Sequence, residues 1–185
     1  MTEESVLVGM LREPDTREAA FRELVVCYQE RLYWHIRRIV LTHDDADDVL
    51  QETFIKVFRN IDGFKGESKL FSWMYRIATN EALSFLKRNS KIQGVHDGQT
   101  QEHLVQRLTA DPYFDGDQAE LELQKALAAL PEKQRLVFNM KYFEAMKYDE
   151  MSEVLETSVG ALKASYHLAV KKIRKYLKED VPERD

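Results

Sequence analysis

The sequence predicts an all-α protein: two small helical domains joined by a flexible linker, the second containing a helix-turn-helix. Three observations carry that prediction. Glycine and proline are scarce, at seven and four among 185 residues. No run alternates Val, Ile and Thr with polar residues, as a half-buried strand would. Apolar residues instead recur three and four apart over long windows, which is the spacing of one helix face.

The first stripe is Phe21, Leu24, Val25, Tyr28, Leu32, Ile36, Ile39 and Val40, with Asp15 or Thr16 placed to cap it. Cys27, the sole cysteine, lies inside this stretch and reads as a small core residue; a single thiol excludes an internal disulfide and a multi-cysteine zinc site. Asp44 or Asp45 is placed to cap the next helix, DDADDVLQETFIKVFRNI, which crowds four aspartates into five positions. After Gly66, Phe71, Met74, Tyr75, Ala78, Ala82, Phe85 and Leu86 form the buried stripe of a third helix.

From Asn89 to Asp117 the periodicity fades, and three of the seven glycines together with Pro112 mark a linker. The expected division is a first domain over 1–90, a linker over 91–117 and a second domain over 118–180. As a flexible coil such a linker has a root-mean-square span of about 30 Å. An apolar-periodic helix runs from Ala119 to Leu130, and Pro131 suits the first turn of the next, PEKQRLVFNMKYF. The short window KYDEMSEVLE, a turn at Glu156–Thr157 and the longer basic window SVGALKASYHLAVKKIRKYLK match helix-turn-helix dimensions.

Charge narrows the function. The net charge of −5 argues against a uniformly basic nucleic-acid coat, so phosphate binding must come from local segregation of charge. No apolar stretch approaches the roughly 20 residues of a spanning helix, and MTEESVLVGM begins with acids rather than a basic signal-peptide region, so a cytoplasmic protein is expected.

Segregation is clearest near the C-terminus. From Ser158 to Lys178 there are six Lys or Arg and no acid. Lys163, His167, Lys171, Arg174 and Lys178 fall within about 80° on a helical wheel. Val159, Leu162, Tyr166, Ala169, Val170, Ile173 and Leu177 take another face and must pack inward. Ser158 can cap the helix, and Gly160 in its first turn leaves room for a phosphate or base edge. A charge run alone is most often a solvated face. This one follows a turn-length gap after a short acidic helix, as a major-groove reader does.

In GFKGESKLFSWMYRIATNEALSFLKR, Trp73 lies opposite the buried stripe, in line with Arg76, Asn80, Ser84 and Lys87. An outward indole beside cations and an amide suits stacking on an unpaired base, with Lys65 and Lys69 near the strand backbone. Phe64, in the Gly63–Gly66 loop, is expected as a second stacking platform. The alternative is a partly buried, structural Trp73.

A duplex reader and a single-strand platform on one chain resemble the extracytoplasmic-function (ECF) class of bacterial sigma factors. DADDVLQETFIKVFRNI is similar to the family's core-polymerase-binding helix, and the resemblance implies that role for Asp47, Asp48, Gln51, Glu52 and Lys56. GFKGESKLFSWMYRIATNEALSFLKR resembles the segment that melts and reads the −10 element, which implies DNA contacts for Phe64, Lys65, Lys69, Trp73, Arg76, Asn80 and Lys87. LPEKQRLVFNMKYFEAMKYDEMSEVLETSVGALKASYHLAVKKIRKY resembles the −35 reader, which implies contacts for Ser158, Gly160, Lys163, Ala164, His167, Leu168 and Lys171. The resemblance covers about residues 18–90 and 119–178. It implies a non-enzymatic factor without cofactor or metal, monomeric when free, with core RNA polymerase, promoter DNA and an anti-sigma factor as partners.

Two departures stand out. Glu156 occupies the turn position where the family usually has glycine, and a left-handed backbone there costs about 1–2 kcal/mol, so a differently built turn is expected. Ser165, Leu168 and Val170 stand where the family often has arginines, so the −35 bases read here should differ from the commonest ones.

Two rivals belong to other classes. Asp44-Asp45-Ala46-Asp47-Asp48 matches a DDxxD motif of prenyl-transferring enzymes, but no second acidic motif accompanies it, and the five histidines show no zinc-site spacing. A conventional dimeric helix-turn-helix regulator would bind a palindrome with the C-terminal half and use the rest as a sensor domain.

Overall fold

The computed structural model describes residues 4–92, 100–112 and 116–179. The described residues are helical, with short turns between helices and no strand among them. The chain divides into two compact units, Met1–Val40 with Asp44–Leu86, and Leu41–His43 with Lys87–Asp185.

The first unit holds α1 (Glu4–Arg12), α2 (Arg17–Val40), α3 (His43–Asn60) from Asp44 onward, a 3-10 turn (Ile61–Gly63) and α4 (Leu70–Ile92) as far as Leu86. Leu7 and Leu11 of α1 are buried. Thr16, rather than Asp15, stands at the start of α2: its carbonyl accepts from the Ala20 N–H at 3.0 Å, while its hydroxyl donates back to the Met10 carbonyl at 2.7 Å. The α2 stripe packs Leu24, Leu32, Ile36, Ile39 and Val40 inward. Cys27 is only half-buried, because it lies on the flank of that stripe beside exposed Val26.

The α2–α4 contact is partly polar. His35 Nε2 lies 2.8 Å from Thr79 Oγ1, and the Thr79 hydroxyl donates to the Tyr75 carbonyl at 2.7 Å. Since that hydroxyl has one proton, His35 must donate from Nε2. The Tyr75 hydroxyl donates to the Arg31 carbonyl at 3.2 Å, and the Arg31 guanidinium covers Phe71 at 4.4 Å. On α3, Ala46, Val49, Thr53, Phe54 and Val57 face inward, and Phe21 meets Phe54 and Phe58 edge-on at 6.1 and 4.9 Å.

The second unit holds α5 (Thr100–Ala110), α6 (Gln118–Ala128), α7 (Glu132–Tyr142), α8 (Tyr148–Leu155) and α9 (Val159–Glu179). Its core joins Ala126, Leu127, Leu130, Phe138, Ala169 and Ile173, with Tyr166, Val170 and Leu177 against them. Asp117 caps α6 by accepting from the Glu120 N–H at 2.9 Å. Pro131 stands just before α7, where its carbonyl accepts from the Arg135 N–H at 3.0 Å. Burial pushes the Arg135 guanidinium down from its ordinary value, against the opposing pull of Glu132.

One helix was not anticipated here. Inside the stretch expected to be a coil linker, α5 packs against α6 with Leu104 and Leu108 buried. Those leucines are one helical turn apart, too short a signal to stand out among the surrounding glycines and polar residues. As helix these 11 residues span about 16 Å, against about 37 Å extended, so a pure coil overstates the reach there. No described helix is long and apolar enough to cross a membrane.

Candidate nucleic-acid and protein interfaces

The acidic helix starts earlier than its aspartates suggest. Because α3 begins at His43, Asp44 and Asp45 occupy its first turn rather than the cap, where their charge favours the helix dipole. Asp48, Gln51 and Glu52 are exposed and Asp47 is half-buried. Ile55, missed in the sequence, is 41% exposed and shares their face. Its wheel position, in line with Asp48, Gln51 and Glu52 and off the buried stripe, was the available signal. Lys56 is exposed as well, and its ammonium pairs with Glu81 of α4, itself buried. A lysine next to a buried carboxylate is drawn to it because an unpaired buried charge is costly.

On α4, Phe71, Met74, Tyr75, Ala78 and Ala82 are buried as the stripe requires, while Phe85 and Leu86 are half-buried near the helix end. Asn80, Ser84 and Lys87 are exposed, and Trp73 and Arg76 half-exposed, along the opposite face. Lys65 and Lys69 are exposed ahead of the helix. Phe64 is the correction: it is 5% exposed, not an open platform. Its ring leans on Trp73 at a centroid distance of 5.3 Å. The sequence marked Phe64 as a loop residue between glycines, but an aromatic ring beside a half-exposed indole gains more from burial than from solvent.

The helix-turn-helix is α8, a tight turn and α9. Glu156 does take the left-handed conformation, at φ 49° and ψ 43°, so the turn has the shape that glycine would make easily and the expected alternative build is absent. Its N–H bonds the Ser152 carbonyl, and the Thr157 hydroxyl donates to the Leu155 carbonyl at 2.9 Å. These bonds, with Met151 and Val154 buried on α8, hold a conformation that Glu alone disfavours.

On α9, Ser158 Oγ accepts from the Ala161 N–H at 3.3 Å, and Gly160 has open space where a Cβ would stand. Lys163, Ala164, His167, Leu168 and Lys171 are exposed, with Leu168 at 45%. His167, Lys171, Arg174 and Lys178 line one shallow groove of about 730 Å³. Tyr148, at the start of α8, was not singled out in the sequence. The Lys141 and Lys163 ammoniums lie 4.9 and 5.7 Å from its ring centre, which ties the first helix of the motif to α7 and to the first turns of α9. Burial, and secondarily Tyr166, pushes the Tyr148 phenol above its ordinary value. Among the described residues, no group of three or more His, Cys, Asp and Glu is arranged to hold a metal ion.

Comparison with known proteins gives matches to both units. Residues 24–92 match the family Sigma-70 region 2, and residues 120–173 match Sigma-70, region 4. The ECF RNA polymerase sigma factor SigW of Bacillus subtilis is 30% identical over 172 residues, covering 86% of this chain and 90% of the relative. The RNA polymerase sigma-H factor of Pseudomonas aeruginosa is 29% identical over 189 residues, covering 92% of each. Among solved structures, CnrH in complex with the cytosolic domain of CnrY has a TM-score of 0.68 at 20% identity, covering 96% of this chain and 99% of that one. The sigma factor RpoE from Bartonella quintana, in complex with the anti-sigma factor NepR, has a TM-score of 0.64 at 21% identity, covering 87% and 98%. At these identities the two structures establish a shared fold.

Proposed function

The chain belongs to the sigma-70 family as an RNA polymerase sigma factor of the ECF type, and from that premise we propose how its two units divide promoter recognition. The face of α3 formed by Asp47, Asp48, Gln51, Glu52 and Ile55 docks on core polymerase. Its carboxylates steer and orient the encounter with a basic surface, while Ile55 supplies apolar contact at the centre. The α4 face of Trp73, Arg76, Asn80 and Lys87, with Lys65 and Lys69 leading into it, holds the unpaired −10 strand. Phe64 supports Trp73 from beneath. The start of α9, from Ser158 through Lys171, reads the −35 duplex, and Arg174 and Lys178 meet phosphates.

The observation that carries this reading is the exposed α4 row of one indole, two cations and an amide on a chain whose other unit presents a basic helix-turn-helix. A conventional dimeric regulator has no use for the first. Acceptance of promoter DNA by stacking and charge needs no chemistry at a reacting atom, so the protein acts as a binding factor rather than an enzyme, in the cytoplasm with the polymerase. An anti-sigma factor is a further proposed partner, since the sigma factor RpoE, which shares this fold, was captured with the anti-sigma factor NepR.

Sedimentation with and without core polymerase tests the reading. A monomer alone, and comigration with core in a one-to-one complex, are the expected results. A stable dimer indifferent to core would contradict it.

A further inference from the structure

Helix α1 lies outside both stretches that match the family, 24–92 and 120–173. Yet α1 and the start of α2 send three charged side chains into the segment that leads into α4. The Arg12 guanidinium donates to the Phe64 carbonyl. Arg17 donates to the Phe58 carbonyl at 3.0 Å, pairs with Asp62 at 3.1 Å and lies 4.9 Å from the Phe58 ring centre. Glu4 Oε1 accepts the Leu70 N–H at 2.8 Å. That last bond satisfies a first-turn N–H of α4 from a residue 66 positions away in sequence and puts a carboxylate at the positive end of the helix dipole.

Beyond buried Ile61 and Phe64, the segment has few anchors of its own before α4 begins. It contains a three-residue 3-10 turn and Gly66 at φ 75°, and Lys65, Glu67 and Lys69 are exposed. Leu7 and Leu11, both buried, anchor α1 so that its polar side chains arrive in register.

We infer that α1 is a positioning element for −10 reading, with Arg12 as its main residue. Arg12 holds the Phe64 backbone, the Phe64 ring lies against Trp73, and Glu4 fixes the end of the helix that carries Trp73. The orientation of the indole toward an unpaired base is thus set from α1.

This inference rests on the proposed strand-reading role of α4, and the test separates the two. Full-length Arg12→Ala, Glu4→Gln, Arg12→Lys and Trp73→Ala are each assembled with core polymerase on promoters carrying single-base changes in the −10 element. Permanganate reactivity of the opened thymines is the readout, with core association and circular dichroism measured in parallel. Arg12→Ala should lose about tenfold in opening, the scale of one charged hydrogen bond, and should flatten the preference among −10 variants while core association stays intact. Glu4→Gln, which retains an acceptor, should show the same pattern more weakly, and Arg12→Lys should restore most of the preference. Unchanged opening and preference in Arg12→Ala, with Trp73→Ala impaired, would overturn the positioning role. So would loss of core association and helicity in proportion to opening, or failure of Arg12→Lys to recover preference in a folded protein. Wild-type opening by Trp73→Ala would remove the α4 reading itself.

Discussion

The rings of Phe64 and Trp73 lie 5.3 Å apart and tilted by 47°, with Phe64 buried and Trp73 half-exposed. On the proposed reading Phe64 is the support and Trp73 the surface that meets an unpaired base. Trp73→Ala should leave core binding intact and impair promoter opening, because a base-stacking ring is worth about 1–3 kcal/mol. Phe64→Ala should lower thermal stability as well as opening, since emptying a buried aromatic site costs about 3–5 kcal/mol. Permanganate footprints and melting curves of both variants separate the roles; stability losses of equal size would return Trp73 to the core.

The exposed face of α3 combines charge with Ile55, and the two should respond differently to salt. Asp47→Lys with Asp48→Lys should weaken core association most at low ionic strength, as steering charges do. Ile55→Ser should weaken it to a similar degree at all salt concentrations. Circular dichroism must remain unchanged, because the double substitution also opposes the α3 dipole. Undiminished co-purification with core in both variants would remove α3 as the docking face.

Along α9, position should decide the consequence. Lys163→Ala and His167→Ala, near the start of the helix, should change which −35 bases are preferred. Lys178→Ala should weaken binding uniformly and reduce its salt dependence by about one counterion. Footprints on a −35 variant series distinguish these outcomes, and identical sequence-independent losses for all three would make the stripe merely electrostatic.

Glu156 at φ 49° stores strain that glycine would not. Relief of about 1–2 kcal/mol, less the roughly 0.5–1 kcal/mol that glycine's extra chain entropy costs, leaves Glu156→Gly more stable. A gain of a few degrees in the melting temperature of the second unit is expected. A decrease would mean that the Glu156 side chain contributes more than its backbone costs.

The residues that share a face were legible in the sequence wherever a long helix carried its stripe through several turns: Leu24, Leu32, Ile36, Ile39 and Val40, then Phe71 to Ala82, then Leu162, Ala169 and Ile173 are buried as their spacing requires, with Val25, Tyr28, Tyr166 and Val170 half-buried at the stripe edges. Relationships across elements were not. Phe64 looked exposed between two glycines until Trp73 was seen to shelter it. Lys56 is exposed as its wheel position predicts, but its ion pair with Glu81 reaches another helix and leaves no mark in local spacing. Glu156 was judged by its intrinsic preference, which buried Met151 and Val154 and the turn's own hydrogen bonds override. Helix α1 was overlooked because its two buried leucines, Leu7 and Leu11, form only one helical step.

Two promoter-reading units on one chain gain from each other only when something holds them at promoter spacing and opens the duplex that hides the −10 bases. A spacer of about one and a half duplex turns would put the two elements about 50 Å apart at some 34 Å per turn. On the proposed reading core polymerase supplies that distance and confers the avidity of a joint engagement. Promoter affinity of the full chain, measured with and without core on templates whose spacer is native or lengthened by half a turn, tests this most directly. Weak, salt-sensitive binding alone, a large gain on adding core, and loss of most of that gain on the lengthened spacer are the predicted results. Tight binding by the chain alone, indifferent to the spacer, would contradict them.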